Sequence, residues 1–448
     1  MPRKGGLIGV KLSMTVDDLL DTVEAGAERW SALTPLQRGD VLRRAADALE
    51  PRVEELAQAI VSSVAKPIRE ARAEALRAVA VFRYVGSSGT TPQGEMWSSE
   101  DPETWVLTVR APLGLVGLIT PFNFPAAIPA WKLAPALLGG NGVVLKPASV
   151  AIGPARLLLE ALATAGLPDG LVQLLEGDGR VGQTLVESPR LNALSFTGSV
   201  GVGRRLAVIC AERGTRSQFE LGGKNTSVVL ADADLATAAR DVAAAAFGFA
   251  GQKCTATSRV VVAAEVAREF TQLLGQATAT FPTGDPGDDA ILCGPVISSE
   301  KARELNAVID DNRVLASAPV PADDRFVAPT LVVGDPSQPA WHEELFGPIL
   351  ALRSVSDIDE AVAAANDGPF GLSTAIYTRS STSVRHAMAH LRAGVVAVNR
   401  PSTGLDPHVP FGGVKGSGGI AREQGRAGLL FYTEERTIYW KEDSSGPA

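Results

Sequence analysis

The sequence of 448 residues is poor in metal-binding and redox-active side chains, with 3 cysteines, 4 histidines and 4 methionines. Cys210, Cys254 and Cys293 lie about forty residues apart, whereas zinc sites need closely spaced ligand pairs and disulfide frameworks need an even number of cysteines. We therefore expect no metal site and no disulfide framework. Free thiols in a reducing compartment, the cytoplasm, are the natural inference.

Long apolar runs are also lacking, which argues against a membrane span. The most apolar stretch, 111–145, is interrupted by Asn123, Lys132 and several prolines. The N-terminal segment is basic but has neither a continuous apolar core nor a small-residue cleavage site, unlike a signal peptide. The sequence predicts a soluble cytoplasmic protein.

Basic residues are fewer than acidic residues. Lys and Arg number 42, Asp and Glu number 50, and the formal net charge is −8. Nucleic acids and anionic membranes are bound by basic surfaces, so neither is an expected partner. A locally basic pocket for a small anionic ligand remains compatible with this balance. The length favours two or three domains.

Hydrophobic periodicity predicts a helical first part, 15–84, followed by alternating strands and helices. Strand–helix alternation favours a parallel sheet, the usual platform for a nucleotide cofactor. The predicted strands are Val116–Thr120, Gly142–Lys146, Leu171–Leu175 and Ala193–Phe196, and the predicted helices are 126–138, 153–165, 180–187 and 201–212.

A second α/β part is predicted from about 226 to 400. It should contain helices at 234–249 and 265–279 and a loop at 282–295. The last apolar segment, Phe431–Trp440, alternates like a strand and is expected to pair with Trp105–Arg110 in a small ribbon. The tail, 442–448, is predicted to be disordered.

The most informative segment is FAGQKCTA, residues 249–256, in which small residues surround Cys254. We interpret it as a loop entering a helix, where the helix N-terminus would favour the thiolate of a nucleophilic cysteine. The alternative is a buried structural cysteine, and this is the expectation for Cys210 and Cys293.

Two more polar residues follow predicted strands. Glu220, in QFELGGKN, precedes two glycines, and its carboxylate could accept a thiol proton or activate a water. Asn123, in PFNFP, follows the strand Val116–Thr120, where its amide could donate to an oxyanion. Taken singly, a surface glutamate and a turn-forming asparagine are the simpler explanations.

Two glycine-bearing segments could bind the phosphates of a cofactor. GDGRVG, 177–182, matches G-x-G-x-x-G, but this match is weak in a chain with 45 glycines. FTGSVG, 196–201, opens a predicted helix after a strand, and free amides at a helix start bind anions. Lys146, in KPAS, ends another strand, where it could contact cofactor ribose or phosphate.

The motifs PFNFP, KPAS, FTGSVGVG, FELGGK, GQKC, EELFGP and PFGGVKGSG occur in this order. The ordered set strongly resembles the aldehyde dehydrogenase superfamily, over about residues 15 to 440. The resemblance implies an α/β protein with a Rossmann-like NAD(P)-binding domain (1–93 and 113–222), an α/β catalytic domain (223–417) and a β-ribbon for oligomerisation (94–112 and 430–442). A homodimer or homotetramer is the corresponding expectation.

The resemblance also implies a role for each matching residue. Cys254 would attack a small-molecule aldehyde, Asn123 and the Cys254 amide would hold the oxyanion, and hydride would pass to NAD or NADP. Glu220 would activate the water that hydrolyses the thioester, with Glu423 as a candidate proton relay. The implied cofactor contacts are Thr120, Phe122, Lys146, Ser149, Gly179, Gly182, Phe196, Gly198, Ser199, Leu221, Gly222, Glu344 and Phe346.

Two of these residues refine the expected reaction. Family members that transfer the acyl group to coenzyme A usually lack the glutamate at the position of Glu220, so we expect hydrolysis to a free acid. NAD-preferring relatives often carry a glutamate at the position of Ser149, and a serine leaves room for a 2′-phosphate, so NADP should be accepted. The alternatives are a coenzyme-A-acylating enzyme and a catalytically retired homologue that acts as a binding or structural protein.

The segment 398–410 resembles family members that act on 2-oxoglutarate semialdehyde and similar acid aldehydes. Arg400 departs from the apolar residue expected there. It is either a contact for an anionic group of the substrate or a surface arginine. Trp131 and Phe249 suggest a partly aromatic substrate tunnel, and the pair Trp131-Lys132 argues against a succinate-semialdehyde dehydrogenase, which carries an arginine near this position.

Overall fold

The computed structural model describes residues 15–91 and 93–441, and the predicted disordered tail lies outside these residues. The chain begins with four helices, and Thr15 and Thr34 form capping boxes at the first two, satisfying backbone N–H groups there. These helices are α1 (Val16–Ser31), α2 (Pro35–Leu49), α3 (Val53–Val64) and α4 (Ile68–Ser87). The helical first part is confirmed.

The remaining elements form three sheets and the helices that cover them. The strands are β1 (Met96–Trp97), β2 (Thr104–Pro112), β3 (Leu115–Thr120), β4 (Gly142–Pro147), β5 (Val172–Leu174), β6 (Ala193–Thr197), β7 (Arg216–Glu220), β8 (Asn225–Val229), β9 (Thr257–Ala263), β10 (Val314–Ser317), β11 (Thr330–Val333), β12 (Ile349–Val355), β13 (Ser373–Tyr377), β14 (Val395–Val398) and β15 (Thr433–Lys441). The helices are α5 (Ala127–Leu138), α6 (Ile152–Thr164), α7 (Gly179–Glu187), α8 (Val200–Arg213), α9 (Leu235–Phe247), α10 (Ala267–Ala279), α11 (Ser299–Asp310), α12 (Pro339–His342), α13 (Ile358–Asn366), α14 (Ser381–His390) and α15 (Gly425–Phe431).

The first large sheet has five parallel strands in the order β5-β4-β3-β6-β7. The central strands β3 and β4 are buried along nearly their whole length, which explains why they appear in the sequence as continuous apolar runs. The four predicted strands and the four helices that alternate with them are confirmed, and no bound differs by more than one residue.

The second large sheet has seven strands in the order β10-β11-β12-β9-β8-β13-β14, and only the β10–β11 pair is antiparallel. The predicted loop at 282–295 contains no helix or strand. The helix predicted at 234–249 ends at Phe247, because Phe249 and Ala250 both adopt a left-handed φ of 52°. This backbone conformation terminates a right-handed helix.

The predicted ribbon is present as the antiparallel sheet β1-β2-β15. Trp105 faces Trp440 and Arg110 faces Glu435 in the β2–β15 register, and the Arg110–Glu435 ion pair measures 3.1 Å. No helix among the described residues is both long and apolar enough to cross a membrane.

The two large sheets meet where β7 runs into β8 through the short connection 221–224. A late segment of the chain returns to this junction. The Leu221 N–H donates to the Ser417 carbonyl at 2.8 Å, and Phe411 exchanges backbone hydrogen bonds with Glu423. Residues from three distant parts of the sequence therefore line one cleft between the sheets.

A buried ion pair anchors the loop that carries Asn123. Lys66 pairs with Glu74, and both side chains are almost completely buried. Glu74 Oε1 also accepts the N–H groups of Ala126 (2.8 Å) and Ala127 (3.1 Å), where α5 begins. Glu74 therefore satisfies two donors at the start of this helix, besides neutralising Lys66.

We predict that Glu74→Ala lowers the free energy of unfolding by ~3–5 kcal/mol, because the substitution leaves a buried, unpaired lysine. Urea unfolding of the variant and the wild-type protein, followed by circular dichroism, measures this loss. The matched control is Arg83→Ala on the same helix, where the exposed pairs with Asp47 and Glu50 contribute far less. Equal losses in the two variants would contradict a structural role for the buried pair.

Candidate active site

Cys254 lies in the turn between the short 3₁₀ helix Gly248–Gly251 and strand β9. The expectation that it stands at the start of a helix is therefore wrong, and no helix N-terminus directly follows it to favour its thiolate. The left-handed residues Phe249 and Ala250 turn the chain sharply after α9, and this turn brings Cys254 to the cleft.

The resting thiol of Cys254 is held in its neutral form. Burial raises its pKa to about 12, and the negative charges of Glu220, Glu344 and Glu423 act in the same direction. A neutral thiol is a poor nucleophile, so attack requires a group that takes its proton.

The other two thiols lie in the protein interior, as expected for structural cysteines. Cys210 and Cys293 are fully buried and unpaired. Burial raises the pKa of Cys210 to about 11 and that of Cys293 to about 12. Neither thiol lines a cavity next to Cys254.

Cys254 lines two cavities at once. The first, which we call the cofactor-side cavity, has a volume of about 380 Å³. The second, which we call the acyl-side cavity, has a volume of about 320 Å³. The candidate residues in the wall of the cofactor-side cavity are Phe122, Asn123, Gly198, Ser199, Glu220, Leu221, Gly222, Cys254, Glu344 and Phe346.

A third cavity of about 770 Å³ shares Pro121, Thr197 and Gly198 with the cofactor-side cavity, so the two form one elongated cleft. Its wall contains the candidate residues Thr120, Lys146, Gly179, Gly182, Phe196 and Gly198. Ser149 does not line it, although the nearby Ala148 does, and Ser149 Oγ donates to the Gly177 carbonyl at 2.9 Å.

The elongated cleft fits a dinucleotide. Ser199 caps α8 without a side-chain hydrogen bond, which leaves backbone N–H groups available to an anion. The buried hydroxyls of Thr120 and Thr197 have no hydrogen-bond partner among the described residues. Lys146 is buried, and its ammonium contacts only the Pro147 carbonyl, at 3.3 Å. Free donors and an unneutralised cation suit the phosphates and ribose of NAD or NADP.

Glu344 and Gly222 fit together closely in the cofactor-side cavity. A Cβ on Gly222 would lie 1.7 Å from Glu344 Oε2, so any side chain at this position would force the Glu344 carboxyl to move. Glu344 Oε1 accepts the Gly223 N–H at 3.0 Å. Burial raises the pKa of Glu344 to about 7, so near neutral pH the carboxyl is present in both its protonated and its ionised form and can donate or accept a hydrogen bond.

Two aromatic rings stand beside this carboxyl. Phe122 and Phe346 meet edge to face with ring centroids 5.9 Å apart. Phe346 has a left-handed φ of 54°, an uncommon conformation for a bulky residue and one found mainly where function requires it. The pair offers an apolar surface for a flat ring such as nicotinamide.

Asn123 is buried beside the thiol, and its Nδ2 donates to the Gln252 carbonyl at 3.0 Å. This bond uses one of the two amide hydrogens. The second hydrogen remains available to an oxyanion, together with the backbone N–H of Cys254. The position of Asn123 in the cavity wall agrees with the predicted role.

Glu220 is a buried carboxyl whose two oxygens have no side-chain hydrogen-bond partner. Burial raises its pKa well above the usual value, the charge of Glu423 raises it further, and Lys132 and Arg422 act in the opposite direction. A carboxyl tuned in this way can accept a proton at neutral pH, as general bases do.

Glu423 lies in a hydrogen-bonded network that includes two residues that the sequence analysis did not assign to the site. Its carboxylate pairs with Lys132 and accepts a hydrogen bond from Trp131 Nε1 at 2.8 Å. Lys132 Nζ also donates to Ser195 Oγ at 2.6 Å. The sequence does distinguish Lys132, because it is the only charged residue in the apolar helix α5. A charge in such a position needs a partner.

The acyl-side cavity is lined by aromatic and charged side chains. Its wall residues include Glu70, Glu74, Arg77, Phe124, Trp131, Lys253, Thr403, Leu405, Phe411 and Gln424. Trp131 therefore lies where the predicted tunnel requires it. Phe249 does not, because it is fully buried and its ring packs under Lys66.

The arginine in this cavity is Arg77 and not Arg400. Arg400 is exposed and donates to the Gly404 carbonyl, on the loop whose residues 403–405 form part of the wall. Arg77 has no distinguishing signal in the sequence, because it belongs to an amphipathic helix with several other charged residues.

Comparisons with known proteins agree with this geometry. The model of the aldehyde dehydrogenase family matches residues 10–438. The chain is 40% identical to the α-ketoglutarate semialdehyde dehydrogenase of Haloferax volcanii, over 94% of this chain and 89% of that relative. It is 36% identical to the α-ketoglutaric semialdehyde dehydrogenase of Bacillus subtilis, over 97% of this chain and 92% of the relative.

A solved structure has the same fold. The betaine aldehyde dehydrogenase of Staphylococcus aureus in complex with NAD+ matches with a TM-score of 0.91 and 29% identity, covering 95% of this chain and 86% of that chain. The coenzyme-A-acylating and retired-homologue alternatives are not favoured, since Glu220 and the other site residues are in place. The chain belongs to the aldehyde dehydrogenase family and is an NAD- or NADP-dependent oxidoreductase that oxidises aldehydes.

Proposed function

We propose that the chain oxidises acid aldehydes, of the class to which α-ketoglutarate semialdehyde belongs, to carboxylic acids through a thioester on Cys254. The observation that carries this proposal is the position of Cys254, which lines both the cofactor-side and the acyl-side cavity. The names of the relatives from Haloferax volcanii and Bacillus subtilis support the substrate class.

In the first step, Cys254 loses its proton to Glu220 and attacks the aldehyde carbon. The oxygen that becomes negative receives hydrogen bonds from Asn123 Nδ2 and from the Cys254 N–H. Removal of one such donor typically costs ~3–4 kcal/mol of transition-state stabilisation. The elongated cleft would hold NAD or NADP through Lys146, Glu344 and the N–H groups at Ser199, and the bound cofactor would supply an acceptor for the hydride of the same carbon.

Before the second step, Glu220 gives up the thiol proton towards Glu423, Lys132 and Ser195, which form a hydrogen-bonded network beside it, and is again a carboxylate. In the second step, Glu220 takes a proton from the water that attacks the thioester carbon. The C–S bond breaks, the proton on Glu220 returns to the Cys254 thiolate, and the acid leaves.

Two substitutions test the mechanism. Cys254→Ala should abolish formation of the reduced cofactor, because no thioester forms. Glu220→Gln should slow both the formation of the first equivalent of reduced cofactor and the hydrolysis of the thioester, by about 10²–10⁴-fold, since the same general base serves both steps. Stopped-flow absorbance of the reduced cofactor measures both phases.

The control for these variants is Cys210→Ala, a change in a buried thiol away from the cavities, which should preserve turnover. Undiminished steady-state turnover in Glu220→Gln would reject Glu220 as the base of hydrolysis. Turnover by Cys254→Ala would reject the thioester mechanism altogether.

We further propose that the site accepts NADP as well as NAD. Ser149 brings no negative charge to the start of the turn after β4, where a glutamate would repel a 2′-phosphate. Arg180 and Arg205 line the same end of the cleft, although Asp178, which pairs with Arg180, also lies there.

Ser149→Glu should reduce kcat/KM for NADP relative to NAD by about tenfold, or ~1.4 kcal/mol, through like-charge repulsion. The measurement is the ratio of kcat/KM for the two cofactors at saturating aldehyde. Ser149→Ala removes the hydrogen bond to Gly177 without adding charge and serves as the control. An equal ratio in the two variants would show that charge at this position does not select the cofactor.

The ribbon sheet β1-β2-β15 is the candidate element for contact between subunits. Trp97, Tyr439 and Trp440 on this sheet are more than half exposed, at 56%, 73% and 56%. Exposed aromatic residues on the open edges of a sheet are commonly covered by another copy of the chain. We propose that residues 94–112 and 430–442 join subunits of a homodimer or homotetramer, while 1–93 with 113–222 binds the cofactor and 223–417 carries Cys254.

A cytoplasmic location is also proposed. Its support is that Cys210, Cys254 and Cys293 are all unpaired. The proposed mechanism needs the Cys254 thiol in its reduced form, which a reducing compartment preserves.

A further inference from the structure

Arg77 projects from α4 into the wall of the acyl-side cavity. Its Nη1 donates to the Leu405 carbonyl, and its Nη2 donates to Gln424 Oε1 at 3.1 Å. The guanidinium carbon lies 6.0 Å from the centre of the Trp131 ring. These contacts hold the guanidinium at the cavity without neutralising its charge.

The other charged side chains of the cavity are already paired. Glu74 forms its ion pair with Lys66, and Glu70 forms one with Lys253 at 2.8 Å. Arg77 forms no ion pair with a carboxylate of the described residues, and Asp406 influences it only through longer-range attraction. The acyl-side cavity therefore presents one guanidinium whose charge is not balanced by direct contact.

Gln424 adds a second donor beside Arg77. Its side chain is buried in the cavity wall, and its Oε1 accepts the hydrogen bond from Arg77. Its Nε2 has no hydrogen-bond partner among the described residues. An unpaired buried amide is unfavourable, and a ligand oxygen that accepts from it removes this cost.

Two aromatic residues of the same cavity, Phe124 and Trp131, already lie next to a cation of the chain. Phe124 already has Lys66 Nζ over its face, 3.8 Å from the ring centroid. Trp131 is approached by Arg77. A substrate with a quaternary ammonium group would meet aromatic faces that the chain's own cations already occupy, and it would be repelled by Arg77.

We propose that Arg77, with Gln424 beside it, binds the carboxylate of the aldehyde substrate and selects acid aldehydes over neutral and cationic ones. The inference rests on the proposed function, since it assigns the selectivity of that same site. A guanidinium and an amide together supply several N–H donors, the arrangement that a carboxylate accepts best. Arg400, the other candidate arginine, lies outside the cavity wall.

The experiment compares two aldehydes of equal chain length, 5-oxopentanoate and pentanal, which differ by one carboxylate. In Arg77→Gln, the ratio of kcat/KM for 5-oxopentanoate to kcat/KM for pentanal should fall at least tenfold, or about 1.4 kcal/mol. Arg77→Lys keeps a positive charge but loses the planar fork, so an intermediate ratio is expected. The loss should appear mainly as a higher KM for 5-oxopentanoate.

Arg400→Gln is the matched control, because it removes an arginine on the loop next to the cavity, and its ratio should stay within about twofold of the wild-type value. An unchanged ratio in both Arg77 variants, or a tenfold loss in Arg400→Gln instead, would overturn the assignment of Arg77. Failure of the proposed function gives a different result, since the wild-type protein itself would then show no preference for 5-oxopentanoate over pentanal. If Arg77→Gln does not fold, Arg77→Lys decides the question by the same ratio.

Discussion

The site depends on a thiol that lies between two cavities and near three carboxyl groups. Burial and the charges of Glu220, Glu344 and Glu423 all oppose ionisation of Cys254. The same surroundings keep Glu220 protonated more readily than an exposed glutamate. Excess negative charge therefore holds the resting site in a neutral, unreactive state. A cation bound in the cofactor-side cavity would favour the thiolate by the same electrostatic rule. The reactivity of Cys254 would then depend on whether this cavity is occupied.

The backbone around this thiol is strained where the functional groups need it. Phe249, Ala250 and Phe346 all adopt left-handed conformations, and so does Gln424 in the acyl-side wall. Such conformations persist only where the surrounding packing fixes them. A Cβ on Gly251 would lie 2.4 Å from the Gly347 carbonyl oxygen. The backbone of the turn before Cys254 therefore packs directly against the backbone that precedes β12. This close packing holds Cys254 in its turn without the support of a helix start.

Features that depend on local sequence were predicted well. Buried parallel strands appear as continuous apolar runs, and the helix start at Ser199 follows its strand directly, so both were found. The surroundings of Cys254 were misjudged, because glycine and small residues favour many loop conformations and the left-handed turn at Phe249 has no sequence signature. The position of Phe249 under Lys66 was missed for a similar reason, since Lys66 lies in the connection between α3 and α4, nearly two hundred residues earlier in the chain.

Side-chain partners from distant segments were the main features that the sequence could not reveal. Lys132 and Glu423 are 291 residues apart, and Arg77 and Gln424 are 347 residues apart. A sequence pattern describes each of these residues alone, whereas the role of each residue depends on the side chain that it contacts in the folded structure. Arg400 illustrates the reverse case, because an unusual residue in a promising segment turned out to bond only to its own loop.

The arrangement of charges separates the reaction from the choice of substrate. Lys132 and Lys66 are each committed to a buried carboxylate, one next to Glu220 and one under the loop of Asn123. Removal of either partner would leave a buried charge and disturb the machinery itself. Arg77 is held by a carbonyl and an amide, so its charge can be replaced without leaving an unpaired carboxylate behind. Substitution on this one face of α4 can therefore change which aldehyde enters while the thiol, its base and its oxyanion donors stay in place.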